Sequence, residues 1–206
     1  LHVRSRRQRQ MCIRDRCEDP DEAAELAEEL ERRNQARKAE ESRILEEIAL
    51  QAAEQPQLLK ERVLVFAGEN WHHGVIGIAA SRLEEQFGKP TILITIEGDQ
   101  ARGSMRSFGE FSAFRCLHAC SDLLSRYGGH PGAGGFSLPA DHVELFRKAV
   151  QHYAKEAHPT MPVLTLEADR LLMPQEITME NITSLSVLAP FGEGNPTPVF
   201  ALCHAV

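Results

Sequence analysis

Two short apolar runs, separated by a helical pattern, constrain the fold of this chain more than any other feature. VLVFA (63–67) and TILITI (91–96) are rich in β-branched residues and have the length of buried strands. Between them, VIGIAASRLEEQF (75–87) repeats apolar residues at helical spacing, and Gly88 is placed to end that helix. A strand, a helix and a strand within 34 residues predict a βαβ unit with parallel strands and a right-handed crossover.

Further strand and helix patterns follow this unit. We expect strands over 100–108 and in GFSLP, a helix over 111–127 with Phe114 on its buried side, and a helix over 141–157 capped by Asp141. Beyond these we expect a strand over 163–168, a helix over 176–188 and a strand at the end of 189–202. The sequence therefore predicts an α/β protein with a second, incomplete unit near its end.

A long helix is expected ahead of the first strand, over residues 19–55. Asp19 and Pro20 suit a cap and a first-turn proline, and Pro56 closes the helix. Its middle, ERRNQARKAEESR (31–43), has no large apolar residue. A helix that is polar all round in its middle either bridges two domains through solvent or is unstable. We interpret it as a bridge; a plain surface helix is the alternative that periodicity leaves open.

Composition limits the possible classes of protein. The chain is 42% hydrophobic, has no apolar run of membrane-spanning length, and shows no secretory signal, so we expect no membrane association. Its five cysteines form no paired pattern, which favours reduced thiols and a cytoplasmic location. The net charge of −7 argues against broad nonspecific nucleic-acid binding but leaves room for a local anion site.

The first 16 residues differ from the rest of the chain. They contain six arginines and one aspartate, whereas the remaining residues include 17 basic and 29 acidic ones. A basic arm for nucleic acid is one interpretation. We favour another, that residues 1–16 are a non-native leader, because QRQMCIRDR resembles a translated adapter sequence.

Three segments marked by glycine combine into a candidate anion site: WHHG (71–74), GSMRS (103–107) and GGHPGAGG (128–135). In α/β folds, ligands bind where strands end and helices begin. Arg106 offers a planar fork of donors that matches phosphate oxygens, and Ser104 adds a hydroxyl on the same strand face. The glycines allow close approach of the backbone, and His130 can donate to a phosphate.

Metal binding is not expected from the histidines and cysteines. Neighbouring His72 and His73 side chains diverge, and no acidic cluster completes a site around them. Cys116, His118 and Cys120 have ligand-like spacing, but on a helix the histidine points away from both thiols. We interpret the two cysteines as core thiols.

In this order, the three segments closely resemble the DHHA1 domain of the DHH phosphoesterase superfamily, and within it the RecJ-like single-strand-specific exonucleases. ELERRNQARKAEE (29–41) resembles the helix that joins DHH to DHHA1 in that family, and LAPFGEGNPTPVF (188–200) resembles the motif that leads into its OB-type domain. The resemblance implies a mixed sheet with flanking helices, a preceding bridging helix and the start of an OB-type β domain. The implied boundaries are 1–16 leader, 17–58 bridging helix, 59–158 DHHA1, and 159–206 connector and truncated OB-type domain.

The resemblance also implies roles for individual residues. It assigns binding of nucleic acid, and of its phosphate, to Gly103, Ser104, Arg106, Ser107, Gly128, Gly129, His130, His72 and Gly74. It further makes His130 a catalytic residue at the cleft between two domains. Gly134 stands where the family has a second alanine, a small-for-small change. We expect a local positive field around Arg102, Arg106 and Arg126, and Trp71 belongs either to the core or to a base-stacking surface.

The implied enzyme hydrolyses single-stranded DNA from its 5′ end, in DNA repair and recombination, with Mn²⁺ or Mg²⁺. The family's metal ligands belong to the DHH domain, and no DHH triplet precedes residue 20. We therefore expect a C-terminal fragment that grips single-stranded DNA, binds no metal and is inactive alone.

Three other functions remain open from the sequence. A DHH–DHHA1 phosphodiesterase for short oligonucleotides or cyclic dinucleotides is one, although the PFGEGNPTPVF tail argues against it. A non-catalytic nucleic-acid-binding module is the second, and the bridging helix argues against that. A generic nucleotide-binding protein is the third, and the absence of GxGxxG and GxxxxGK[ST] disfavours it. Oligomeric state cannot be inferred from the residues.

Overall fold

The structure is a computed structural model of the 206-residue chain, and it describes residues 19–160 and 167–202. The chain divides into two compact units, Leu1–Pro162 and Val163–Val206, which are taken separately below. The predicted leader (1–16) lies outside the described residues, as does most of the strand predicted over 163–168. Within the described part, no helix is both long and apolar enough to cross a membrane.

The first unit begins with the long helix α1, Pro20–Glu54, as predicted. The Asp19 carboxylate accepts a hydrogen bond from the Asp21 amide at 2.9 Å, so the cap sits where the sequence indicates it. Gln55 ends the helix, and a short 3-10 helix, Pro56–Lys60, leads to the sheet. Ile44 and Ile48 are buried against the sheet, so the second half of α1 is part of the core.

A five-stranded sheet forms the centre of this unit. Its elements in chain order are β1 (Leu64–Glu69), α2 (Ile76–Phe87), β2 (Thr91–Glu97), β3 (Gln100–Arg106), β4 (Arg126–His130) and β5 (Ala133–Pro139). The strand order is β1-β2-β3-β5-β4. β1 and β2 are parallel, which confirms the βαβ prediction, and every other pair in this sheet is antiparallel.

The two faces of the sheet are covered differently. One face packs on α3 (Ala113–Ala119) and α4 (Val143–Ala157), in a core that includes side chains from all the inner strands. The other face packs on α1 and α2 through buried β1 and β2 residues such as Phe66 and Leu93, and α2 also contacts the Arg106 end of β3. Because these helices do not extend over β5 and β4, part of this second face stays open.

Two local predictions are wrong. The helix expected over 111–127 stops at Ala119, and Arg126 begins β4, because pairing with β5 outweighs the helical pattern of the segment. Phe114 is accordingly not buried but 41% exposed.

The remaining two corrections concern the ends of elements. Asp141 does not cap the fourth helix, since a 3-10 turn, Ala140–His142, precedes it and no side chain caps α4. The glycine segment 128–135, for which an open loop against a ligand was expected, lies mostly in β4 and β5, which Pro131 and Gly132 join as a hairpin. The prediction of core thiols is confirmed, because Cys116 and Cys120 are buried.

Residues 167–202 of the second unit form two short strands and one short α-helix. β6 (Arg170–Leu172) pairs in parallel with β7 (Phe200–Leu202), which confirms the predicted final strand. The helix predicted over 176–188 is shorter, with α5 covering Met179–Ser184 and a 3-10 turn continuing to Leu188. Arg170 and Glu176 form an ion pair at 2.6 Å between the start of β6 and the turn that follows it.

Candidate nucleic-acid interface

Three cross-strand rows form the uncovered part of the sheet. Residues directly opposite one another in an antiparallel sheet point to the same face, so the strand register defines these rows. The rows are Arg102–Ser137–Arg126, Ser104–Gly135–Gly128 and Arg106–Ala133–His130, and together we call them the open face. Every residue of the open face is exposed or partly exposed. Arginines, hydroxyls and bare backbone are therefore collected on one surface.

Arg106 is held in place by groups from two elements. Its Nε donates to Ser81 Oγ of α2 at 3.0 Å, and its Nη1 donates to Ser104 Oγ at 3.0 Å and to the Met105 carbonyl at 2.9 Å. Nη2 has no hydrogen-bond partner among residues 19–160, and no carboxylate of that range lies within ion-pair distance. The guanidinium is thus oriented by the protein while one of its nitrogens stays available to a ligand.

Helix α2 approaches Arg106 closely because of a glycine. A Cβ on Gly77 would lie 2.7 Å from Arg106 Nη2 and 3.1 Å from Ser104 Oγ. Burial lowers the pKa of Arg106, and the Glu84 carboxylate on the same helix opposes that shift. Arginine side chains are effectively always protonated in proteins at neutral pH. Gly77 and Ser81, one turn apart on α2, therefore form the wall against which the Arg106 side chain lies.

The glycines of the candidate site fall into two groups, and the first serves the fold. A Cβ on Gly103 would overlap the ring of Phe136, and one on Gly134 would lie 2.5 Å from Leu117 Cδ1. Gly129 has φ +148° and would collide with the Ala133 carbonyl if it carried a side chain. Gly103 and Gly134 are buried on the core side of the sheet, and Gly129, although exposed, pairs with Gly134, so Gly103 and Gly129 do not belong to the rows of the open face.

The second group, Gly128 and Gly135, is not required by packing within the protein. A Cβ on Gly128 would meet nothing within 4 Å, and one on Gly135 would meet only the Gly103 carbonyl oxygen, at 3.9 Å. Neither residue has a backbone conformation that requires glycine. Their lack of a side chain instead keeps the surface between the arginines flat, at the floor of a groove of about 570 Å³.

His130 and Ser107 lie where the hairpin meets β3. His130 Nδ1 accepts a hydrogen bond from the Gly132 amide at 3.2 Å, so a neutral ring carries its proton on Nε2 and can donate it to a ligand. The Ser107 amide donates to the Gly132 carbonyl at 3.0 Å, and its hydroxyl donates to the Phe111 carbonyl. Ser107 is therefore occupied in holding the hairpin turn, while His130 remains exposed in the row of Arg106.

The WHHG segment is tied to α1. Trp71 is fully buried, and its Nε1 donates to Glu47 at 2.6 Å, so it is core and not a base-stacking surface. The His72 amide donates to Glu40 at 3.0 Å, and His72 Nδ1 accepts from the Gly74 amide at 3.0 Å. The hydrogen bond from Arg43, together with that from the His72 amide, lowers the pKa of Glu40. Among the described residues, no hydrogen bond joins this segment to the open face.

The structure thus brings together Ser104, Arg106, Gly128 and His130 from the predicted set. Gly103, Ser107 and Gly129 support the sheet and its turn, and His72 and Gly74 lie at the start of α2. Sequence reasoning missed Ser81 and Ser137. The spacing of four residues between Gly77 and Ser81 was the available signal, since it places both on one helix face.

A metal ion does not fit the described residues. In the ranges 19–160 and 167–202, no group of three histidine, cysteine or carboxylate side chains converges. The expected divergence of His72 and His73 is wrong, because their rings stack with centroids 5.0 Å apart; both are exposed. His118 instead bonds the Tyr127 hydroxyl at 2.8 Å, away from the two core thiols.

Comparison with known families identifies both units. The family model of the DHHA1 domain matches residues 60–156, and that of the RecJ OB domain matches residues 168–206. Two curated relatives, both single-stranded-DNA-specific exonucleases RecJ, come from Bacillus subtilis and Thermus thermophilus. They are 35% and 34% identical over 92% and 91% of this chain. The chain spans only 24% and 27% of their lengths, so it corresponds to one part of such enzymes.

Solved structures agree with this assignment. RecJ from Thermus thermophilus in complex with Mn²⁺ superposes with a TM-score of 0.73 at 34% identity, over 90% of this chain and 27% of that one. An exonuclease RecJ bound to manganese superposes with a TM-score of 0.62 at 32% identity, over 71% of this chain and 36% of that one. These matches confirm the α/β fold with a DHHA1 domain followed by an OB-type domain.

Proposed function

Since the chain belongs to the RecJ family, carrying its DHHA1 domain and RecJ OB domain, we propose that it is the substrate-gripping part of a single-stranded-DNA-specific exonuclease. The observation that carries the proposal is the Arg106 guanidinium, oriented by Ser81 and Ser104 with Nη2 left unbonded. A planar guanidinium held in this way suits a phosphate group. A terminal phosphate suits it best, because it has more unesterified oxygens to accept hydrogen bonds. The open face then accepts a phosphate of the strand at Arg106.

The chemistry of this part is binding and orientation. In the proposal, Arg106 and Ser104 hold the phosphate and His130 Nε2–H donates to an oxygen of the same nucleotide. The divalent metal that accompanies RecJ structures has no ligand set in the described residues. Hydrolysis, its 5′-to-3′ direction and its use in DNA repair are therefore proposed for the longer protein, in the cytoplasm. The RecJ OB match favours this function over the smaller phosphodiesterases.

Replacing Arg106 tests the proposal directly. We expect Arg106→Ala to weaken binding of a short 5′-phosphorylated DNA strand about 10- to 100-fold, the loss expected for charge-assisted hydrogen bonds of about 1.5–3 kcal/mol. The preference for a 5′-phosphate over a 5′-hydroxyl should disappear at the same time. Fluorescence anisotropy with both labelled strands, at low and moderate salt, measures the two effects.

Two variants control this experiment. Arg115→Ala removes the same charge from α3, on the other side of the sheet, and should leave affinity unchanged. Arg106→Lys keeps the charge but loses the fork, so it should restore only part of the affinity. Equal binding of both strands by the wild-type chain, or equal losses in Arg106→Ala and Arg115→Ala, would contradict the phosphate site.

Catalysis by this chain alone is expected to be absent. With Mn²⁺ or Mg²⁺ and a labelled single strand, no shortened products should form, because two-metal hydrolysis needs ligands that the described residues do not provide. Gel analysis of a time course, with a chelator control, is sufficient. Metal-dependent cleavage that persists through further purification would show that this chain holds a catalytic centre of its own.

A further inference from the structure

Besides Arg106, two more arginines lie on the open face. Arg102 and Arg126 occupy the two ends of one cross-strand row, with Ser137 between them. At about 4.8 Å per strand spacing, their Cα atoms lie roughly 10 Å apart. Both are exposed, and neither has an ion-pair or hydrogen-bond partner among residues 19–160. Two like charges thus lie in one row, and no carboxylate among residues 19–160 pairs with either of them.

Protection of the sheet edge does not explain this pair. Charged residues on edge strands discourage pairing with other chains, and Arg126 does belong to the edge strand β4. Arg102, however, belongs to β3, which lies between β2 and β5 and has no free edge. The two side chains also share one groove of about 570 Å³, together with the bare backbone of Gly128 and Gly135. The groove is therefore cationic, and its floor is open down to the main chain.

We propose that the Arg102–Ser137–Arg126 row binds an internal phosphodiester of the same single strand whose leading phosphate lies at Arg106. This inference rests on the proposed function and adds a second subsite to it. The two rows are four residues apart along β3, roughly 13 Å at about 3.3 Å per residue. Adjacent phosphates of an extended strand lie about half that distance apart. The row therefore takes the third phosphate, counted from the one at Arg106.

The row between the two subsites fits the intervening nucleotide. It consists of Ser104, Gly135 and Gly128, whose small size leaves room for a sugar and its phosphate to cross the sheet. Ser104 Oγ, the hydroxyl of this row, accepts a hydrogen bond from Arg106 Nη1, and the row has no charged group for the phosphate that crosses it. Binding should therefore depend on strand length in steps, with a gain when the third phosphate becomes available.

A length series of 5′-phosphorylated oligonucleotides tests the second subsite. For the wild-type chain, affinity should rise about tenfold once the strand is long enough to carry the third phosphate. Arg102→Ala and Arg126→Ala should each remove most of this rise while keeping the 5′-phosphate preference. Arg106→Ala should do the opposite, losing the preference and keeping the rise. Arg115→Ala is the matched control for a lost exposed arginine.

A chemical change in the DNA makes the assignment specific. Replacing the third phosphate with an uncharged methylphosphonate should weaken binding by the wild-type chain about as much as the double substitution Arg102→Ala/Arg126→Ala does. In the double variant, the methylphosphonate should cause no further loss of affinity. The double variant should also flatten the salt dependence of affinity, by about 0.7 in the log–log slope, because one phosphate is no longer neutralised by the protein.

The outcomes separate this inference from the proposed function. A rise with length that survives in both single variants, or wild-type binding that is insensitive to the methylphosphonate, overturns the second subsite while the Arg106 site can still stand. If the wild-type chain bound 5′-phosphate and 5′-hydroxyl strands equally, the proposed function would instead be contradicted. Circular dichroism of each variant checks that the substitutions, which are at exposed positions except for the partly buried Arg106, leave the fold unchanged.

Discussion

Trp71→Ala is expected to lower the free energy of unfolding of the first unit by about 3–5 kcal/mol, the range for emptying a fully buried aromatic site. The indole lies against Gly68, whose position has no room for a Cβ beside the ring. It also donates to Glu47, so the substitution removes one of the hydrogen bonds that hold α1 as well as leaving a cavity. Since domains of this size are stable by only about 5–15 kcal/mol, the variant should approach marginal stability.

Urea unfolding followed by circular dichroism measures this effect. Leu50→Ala on α1 is the control, because Leu50 is 66% exposed and its removal should cost well under 1 kcal/mol. A Trp71→Ala variant that unfolds at nearly the same urea concentration as Leu50→Ala would show that α1 does not depend on the indole. Trp71→Phe, which fills much of the cavity but cannot donate to Glu47, separates the packing contribution from the hydrogen bond.

Gly103 and Gly128 both belong to the predicted site residues, but their substitutions should have different effects. Gly103→Ala should lower stability, whereas Gly128→Ala should lower DNA affinity. Gly103→Ala drives a methyl group into the Phe136 ring, which packs on Phe146 with ring centroids 4.7 Å apart. Overpacking of this kind costs about 1–3 kcal/mol or more. Gly128→Ala should leave stability within about 0.5 kcal/mol, because its methyl group would meet no protein atom.

DNA binding should show the reverse order. At a temperature where both variants are folded, Gly128→Ala should weaken single-strand affinity several-fold, since its methyl group projects into the groove between Arg102 and Arg126. Gly103→Ala, on the buried side of β3, should bind nearly as the wild-type chain does. Thermal unfolding and anisotropy on the same samples give both quantities. Equal affinity of Gly128→Ala and the wild-type chain would mean that no ligand occupies the groove floor.

This protein is acidic, yet the proposed function requires it to bind a polyanion. The oriented Arg106 guanidinium and the glycine floor of the groove are compatible with both. The chain carries a net charge of −7, so attraction of nucleic acid over long distances is not available to it. The open face instead concentrates three arginines within three neighbouring rows, where contact distances are short. Recognition at short range should remain sensitive to salt, as every phosphate contact is.

Local features of the sequence were sufficient for several elements. Apolar periodicity and end signals predicted the βαβ unit, the long helix with its Asp19 cap, and the Gly88 end of α2, all of which the structure confirms. These features depend on residues a few positions apart, whose neighbours are known from the sequence. The order of the three glycine-marked segments was also enough to indicate the family, which the DHHA1 and RecJ OB matches confirm.

What the sequence by itself determined is therefore the family, the local elements and the residue types available for binding a phosphate. Only the tertiary structure decided which of those residues share a surface. Gly103 and Gly128 look alike in the sequence, yet one lies against Phe136 and the other on an open floor. Phe114 likewise is exposed although its helical pattern predicts burial, and the segment 126–130 forms a strand. The physical reason is that the register between β3, β5 and β4 sets which side chains are neighbours, and that register depends on pairing between distant parts of the chain.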